Sequence, residues 1–180
     1  MDKRYAKQYD DYSCGPIAIF NALIALGHTP NSNRWIYKRC DPNPDYGTLY
    51  TTFDRTLCEW LPSTVQCEYI KCPEYKTIRD HIKAGGVAII CEHWQESAVK
   101  YGEHYYTIID IDNDKFLVAN RNETVGKIVQ LISARDLKVS LIQHKLDAYP
   151  PNCQHETVED DLIYPTAWLL SKKKSRKRKR

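Results

Sequence analysis

The sequence predicts an α+β domain, on three observations. A helix near the N-terminus is apolar almost all the way round, a second amphipathic helix lies in the first third, and from Val65 onward short apolar or alternating runs are separated by turn residues. At 180 residues, with 42% hydrophobic residues, four Trp and thirteen Tyr, the chain is sized for one domain with a full core. It has no run of about 18 apolar residues, and its Met-Asp-Lys-Arg start lacks an apolar signal region. The expectation is a soluble, intracellular protein of a reducing compartment, cytoplasmic, nuclear or in a virion, with no membrane partner. Seven cysteines without a C-x2-C pair argue against a disulfide framework and against the commonest structural zinc spacing.

The chain is organised around Gln8 to Gly27. Cys14, followed by Gly15, Pro16 and the run Ile17, Ala18, Ile19, Phe20, reads as a thiol on the first turn of a buried helix that Gly27 stops. Helix N-termini carry partial positive charge, and such positions lower a thiol pKa from roughly 8.5 to about 3.5–7.5. A free cysteine is more often buried and inert, so the weight rests on the residues that accompany it.

The elements then follow in order. Asn31 to Cys40 is polar with one short amphipathic turn at Trp35 and Ile36, and Asp41 to Tyr46 is turn chemistry. Thr48 is placed to cap a helix ending at Leu61 before Pro62, with Leu49, Phe53, Leu57 and Trp60 on one buried face. Val65, Cys67 and Tyr69 alternate as a strand, and Glu74 to Ala84 forms a helix stopped by Gly85-Gly86 ahead of the strand Val87 to Cys91. His93 to Glu103 reads as a loop longer than most hairpin connections, expected to line or cover a cleft with Trp94 and Tyr101 as substrate contacts. The strand His104 to Asp110, an acidic turn at Asp112-Asn-Asp114 and a third strand closing on Asn120 complete the middle of the chain. Arg121 to Lys127 is a loop, Ile128 to Ile132 a strand, and Ser133 caps a short helix from Ala134 to Ile142. After Pro150-Pro151 the apolar run Leu162 to Leu170 is expected to pack on the body. One domain, residues 1–171, carries a basic tail, 172–180.

That tail concentrates the charge. Lys172, Lys173, Lys174, Arg176, Lys177, Arg178, Lys179 and Arg180 take eight of the 26 basic residues, leaving 18 against 23 acidic and a formal −5 for the rest. A run with no apolar residue to bury is disordered on its own, and its functional readings are an import signal bound by a receptor or a nucleic-acid tether acting by counterion release.

Gln8, five residues, Cys14-Gly15-Pro16 and an apolar helix, then the strands that carry His104 and close sixteen residues later on Asn120, form an ordered set covering about two-thirds of the chain. This set resembles the papain-like cysteine peptidases, and within them the bacteriocin-processing branch that cuts after double-glycine leaders. The resemblance implies a papain-like fold: an N-terminal helical part whose buried nucleophile helix packs on an antiparallel β-sheet. It implies a cysteine peptidase in which Cys14 is the nucleophile and His104 its base and then acid. The Asn120 side chain would hold the ring, and the Gln8 side chain with the Cys14 amide would form the oxyanion hole. The chain departs from that branch at Asn120-Arg121, where the branch has Asp followed by Pro. Asp110 and Asp112 lie too far along the strand to replace Asn120. The implied substrate is a peptide or protein, cleaved at a peptide or isopeptide bond through a thioester, and no cofactor is implied. A zinc reading would join Cys91 and His93, on one strand face, to Cys153 and His155; no metal is expected. The competing function is a catalytically inactive papain-fold binding or structural protein that the basic tail recruits to nucleic acid.

Overall fold

The helix that begins at Cys14 takes the middle of the molecule. In a computed structural model α1 runs Cys14–Ala25 with ten of its twelve residues buried. Gly27 adopts the left-handed conformation (φ 80°) that ends the helix, and its amide reaches back to Ile24 O. The structure describes residues 5–29, 34–45, 47–97, 100–121, 128–142, 144–145, 158–159, 162–163 and 165–173; at 94–97, 100–101, 144–145, 158–159 and 162–163 it describes the backbone alone.

Two short helices lie on the same side, α2 (Arg34–Cys40) and α3 (Tyr50–Trp60). On α3, Phe53 and Leu57 are buried as their spacing requires, whereas Trp60 stays 43% exposed with the Arg39 guanidinium 3.5 Å from its ring centroid. Thr48 does not cap α3. Leu49 occupies the N-cap, and Thr48 Oγ1 donates instead to Tyr12 O at 3.1 Å, because the chain at Thr48 packs directly onto Gly15.

The rest of the chain builds a sheet. After β1 (Val65–Lys71) come α4 (Tyr75–Lys83), β2 (Val87–Ser97), β3 (Lys100–Asp112), β4 (Lys115–Ala119), β5 (Val129–Ser133) and α5 (Ala134–Ser140). Three two-residue strands, β6 (His144–Lys145), β7 (Val158–Glu159) and β8 (Leu162–Ile163), pair in a small separate sheet, and β9 (Thr166–Lys172) returns to the main one. The main sheet is antiparallel, in the order β1-β9-β2-β3-β4-β5. Alternation divides it cleanly: Ile89, Cys91, Tyr105 and Trp168 face α1 to α3, and Ile90, Tyr106, Ile108 and Leu169 face the side of α4 and α5.

Three features of this sheet matter for the site. The apolar run near the C-terminus does more than pack on the body: β9 is inserted between β1 and β2, and Trp168 Nε1 donates to Asp54 Oδ1 of α3 at 2.9 Å. Lys172 is the last residue of that strand and Lys173 N donates to Thr64 O at 2.8 Å, so the backbone is held two residues into the basic run; 174–180 lie outside the described residues. The third feature corrects the loop expected between His93 and Glu103, which is instead hairpin, with His93 paired to Glu103, Trp94 to Gly102 and Gln95 to Tyr101. Extending the ladder pairs backbone groups that a loop would leave to solvent, and Trp and Tyr favour the pleated form.

The turns are those the sequence chemistry requires. Asn113 and Asp114 both take positive φ (47° and 60°) in the two-residue β3–β4 connection. Ser133 caps α5 in a reciprocal box, with Ser133 Oγ accepting from Asp136 N at 3.1 Å and Asp136 Oδ2 accepting from Ser133 N at 2.9 Å.

Candidate active site

The segment ahead of α1 is tied down at three points. Asn21, buried on α1, brackets Ala6: Ala6 N donates to its Oδ1 at 2.7 Å and its Nδ2 donates to Ala6 O at 3.0 Å. Gln8 N then donates to Asn120 Oδ1 at 3.1 Å, and Asn120 Nδ2 donates to Gln8 Oε1 at 3.2 Å. Finally Asp10 Oδ1 accepts from Tyr12 N at 3.0 Å and Ser13 N at 2.7 Å, which turns the chain into the helix at Cys14. The remaining polar atom of the Gln8 side chain, Nε2, is buried and has no partner among the described residues.

Asn120 stands just past β4 with φ 60°, a left-handed conformation that Asn tolerates better than most residues. Its carbonyl bonds to Nε2 of the buried His104. A carbonyl only accepts, so Nε2 carries the hydrogen and Nδ1 is left as the basic nitrogen. The resemblance assigned this task to the Asn120 side chain. In the structure the backbone carbonyl performs it, because the left-handed turn swings that carbonyl toward the ring while the side-chain amide is committed to Gln8. Arg121, where the resembling branch has proline, has its own use: its Nη2 lies 3.3 Å from Glu92 Oε2 and 3.0 Å from Ser140 Oγ, and Ser140 Oγ donates to Glu92 at 2.6 Å. Glu92 is the cross-strand partner of His104, so this network braces the sheet beneath the ring.

Cys14 keeps 6% of its surface exposed and packs in one cluster with Cys91 and Tyr105. Further along α1, Thr107 Oγ1 donates to Ala18 O at 2.9 Å, so the helix runs over β3 with its first turn toward Tyr105. Alternation points Tyr105 and Thr107 toward α1 and His104 toward Asn120. The structure thus joins Gln8, Asn120 and His104 in one hydrogen-bonded group and sets Cys14 against the residue next to His104. Asp110 and Asp112 are exposed and take no part. Trp94 and Tyr101 lie on the hairpin, with side chains outside what the structure describes.

Glu103 is the residue that sequence reasoning missed. Cys91 and His93 do share a face of β2, as their spacing requires, and Glu103 faces His93 across the ladder with Oε2 3.8 Å from His93 Nδ1. Burial pushes the Glu103 carboxyl up to about 8 and holds the Cys91 thiol well above its ordinary value, with Glu103 and Cys14 adding to the latter. Finding Glu103 required the strand register, which two-residue spacing along one strand does not supply. Cys153 and His155 lie outside the described residues.

No family model and no curated protein matches the sequence. Among solved structures, the chain is similar to the crystal structure of the peptidase domain of Streptococcus ComA, a bi-functional ABC transporter involved in a quorum-sensing pathway. The TM-score is 0.57 at 14% identity, over 96% of this chain and 100% of that one. Likeness at that identity is likeness of fold, and the fold of this chain is that of a papain-like peptidase domain.

Proposed function

We propose that the protein is a cysteine peptidase with Cys14 as nucleophile and His104 as base and acid. The observation that carries this reading is the bond between His104 Nε2 and the Asn120 carbonyl, which leaves Nδ1 as the basic nitrogen, with Cys14 in one cluster with Tyr105, the next residue along the chain. Cys14 gives its proton to His104 Nδ1 and attacks the scissile carbonyl carbon. Gln8 Nε2 and the Cys14 amide donate to the oxyanion. His104 returns the proton to the leaving amine as the C–N bond breaks, a thioester forms on Cys14, and water deprotonated by His104 releases the acid and restores the thiol. Peptides are the substrate class that a peptidase-domain fold favours, and those ending in Gly-Gly are the first to try because of the resemblance. The basic run from Lys174 to Arg180 is read as a tether to nucleic acid that brings the domain to its substrate.

Iodoacetamide at pH 6 tests the chemistry directly. The expected result is modification of Cys14 ahead of the other thiols, with His104→Ala abolishing that preference. Equal labelling of Cys14 and an exposed cysteine such as Cys58 would favour the inactive binding protein instead. For the tether, DNA affinity should fall steeply with salt and vanish on deleting Lys174 to Arg180; salt-independent binding contradicts it.

A further inference from the structure

We propose that Cys91, His93 and Glu103 form a binding site for a zinc-class divalent cation on the α1 side of the sheet. The register builds the site. Cys91 and His93 are two apart on β2 and Glu103 pairs with His93 from β3, so all three side chains leave the same face of one hairpin. One donor atom from each residue lies within 4.8 Å of the others. A tetrahedral zinc with Zn–N and Zn–O bonds near 2.0–2.1 Å and Zn–S near 2.3 Å needs its ligand atoms about 3.3–3.6 Å apart. The 3.8 Å between His93 Nδ1 and Glu103 Oε2 is already close to that edge, and an ion would draw the Cys91 sulfur in from within 4.8 Å of the other two donors.

The donor set selects the metal class. One thiolate, one imidazole and one carboxylate suit zinc and cobalt, whereas magnesium and calcium take oxygen ligands almost alone. Cys91 and His93 are buried and Glu103 nearly so, which gives the ion a low-dielectric setting and fixes the ligands by packing. Three protein ligands leave a fourth tetrahedral position for water or another ligand, and Cys14 packs in the same cluster as Cys91. Because the ligands come from both strands of the hairpin, the ion would also clamp β2 to β3 directly ahead of His104.

The test titrates the metal-free full chain with cobalt chloride and reads the visible and near-ultraviolet absorption. The expected result is one equivalent of four-coordinate cobalt with a thiolate-to-metal band, displaced by zinc, and a rise in Tm when zinc is present. Cys91→Ser should remove the thiolate band, and His93→Ala and the nearly isosteric Glu103→Gln should each weaken binding at least tenfold. The proposal is overturned if the wild-type chain gives no such band, or if the band survives Cys91→Ser. Should Cys91→Ser fail to fold, Glu103→Gln decides: native circular dichroism with unchanged cobalt affinity also overturns it.

Discussion

Gln8 and Asn120, 112 residues apart in the chain, hold each other by two hydrogen bonds, Gln8 N to Asn120 Oδ1 at 3.1 Å and Asn120 Nδ2 to Gln8 Oε1 at 3.2 Å. The pair joins the segment before α1 to the residue whose carbonyl fixes the His104 tautomer. It also orients the Gln8 amide: the oxygen faces Asn120, and the buried nitrogen is the end with no partner among the described residues.

Asn120→Asp should therefore lower the proposed activity, although it installs the residue found in the resembling branch. A carboxylate still accepts from Gln8 N but offers nothing to Gln8 Oε1, so the amide must rotate, donate its Nε2 to the new carboxylate and present oxygen where an oxyanion forms. Loss of one oxyanion donor costs about 10²–10³ in kcat. Asn120→Gly keeps the left-handed turn and the carbonyl bond to His104, so its loss should be smaller. Steady-state cleavage of a fluorogenic Gly-Gly peptide checks the order, and an Asp variant as active as the wild type would remove Gln8 from the oxyanion role.

Gly15→Ala tests how closely the first turn of α1 is packed. A Cβ at that position would stand 2.6 Å from Thr48 Cγ2 and 2.9 Å from Thr48 Cβ and Oγ1. Thr48 is fully buried and its hydroxyl is bonded to Tyr12 O, so it has little freedom to withdraw. Overpacking of this kind costs about 1–3 kcal/mol. Urea unfolding should show that loss, and Thr48→Ser, which removes the nearest methyl, should recover part of it in the double variant. Strict additivity of the two substitutions would place the strain elsewhere.

Where the signal is local, the sequence carried the structure. The all-round apolar helix with Gly27 at its end, the Asn113-Asp114 turn and the Ser133 cap each follow from neighbouring residues and each formed as read. The meeting of His104 with Asn120 was legible because a tight turn between antiparallel strands fixes the return path. Three features needed information that no single segment holds. The position of β9 between β1 and β2 depends on which strands it pairs with, and a short apolar run states only that it is buried. The hairpin through His93 and Glu103 continues because two strands support each other, whereas either one alone reads as polar loop. The left-handed φ of Asn120, which gives the imidazole to the backbone and the side chain to Gln8, is a conformational choice that side-chain identity permits without dictating.

The capping box of α5 makes a statement about pH. Hydrogen bonds from the Ser133 backbone and then its side chain hold the Asp136 carboxyl below its ordinary value. A carboxylate with a lowered folded pKa contributes stability that is present above its unfolded value, about 3.9, and is lost as pH falls through the folded value. Ser133→Ala should cost about 1 kcal/mol at neutral pH. Asp136→Asn should lose stability relative to the wild type at pH 7 and converge on it in strong acid, as followed by thermal unfolding; a gap that does not narrow in acid would assign the loss to packing.

Two thiols, the buried Cys40 and the half-buried Cys67, supply the last prediction. Burial pushes the thiols of Cys40 and Cys67 up to about 12, with the Thr56 hydroxyl opposing at Cys40 and the charges of Cys58, Asp54 and Glu68 adding at Cys67. None of the six described cysteines is in a disulfide. At pH 8 the fold holds these two thiols protonated, and a protonated thiol is a poor nucleophile. Mass spectrometry after brief iodoacetamide treatment of the native chain should therefore find Cys40 and Cys67 unmodified, and the same treatment in denaturant should modify both. Since their folded pKa lies above the unfolded value of about 8.5, the stability they contribute is complete below that pH and is lost as pH rises through about 12. Replacing Cys40 by Ala should flatten the alkaline limb of the stability profile, and an unchanged limb would mean that Cys40 is not among the groups that set it.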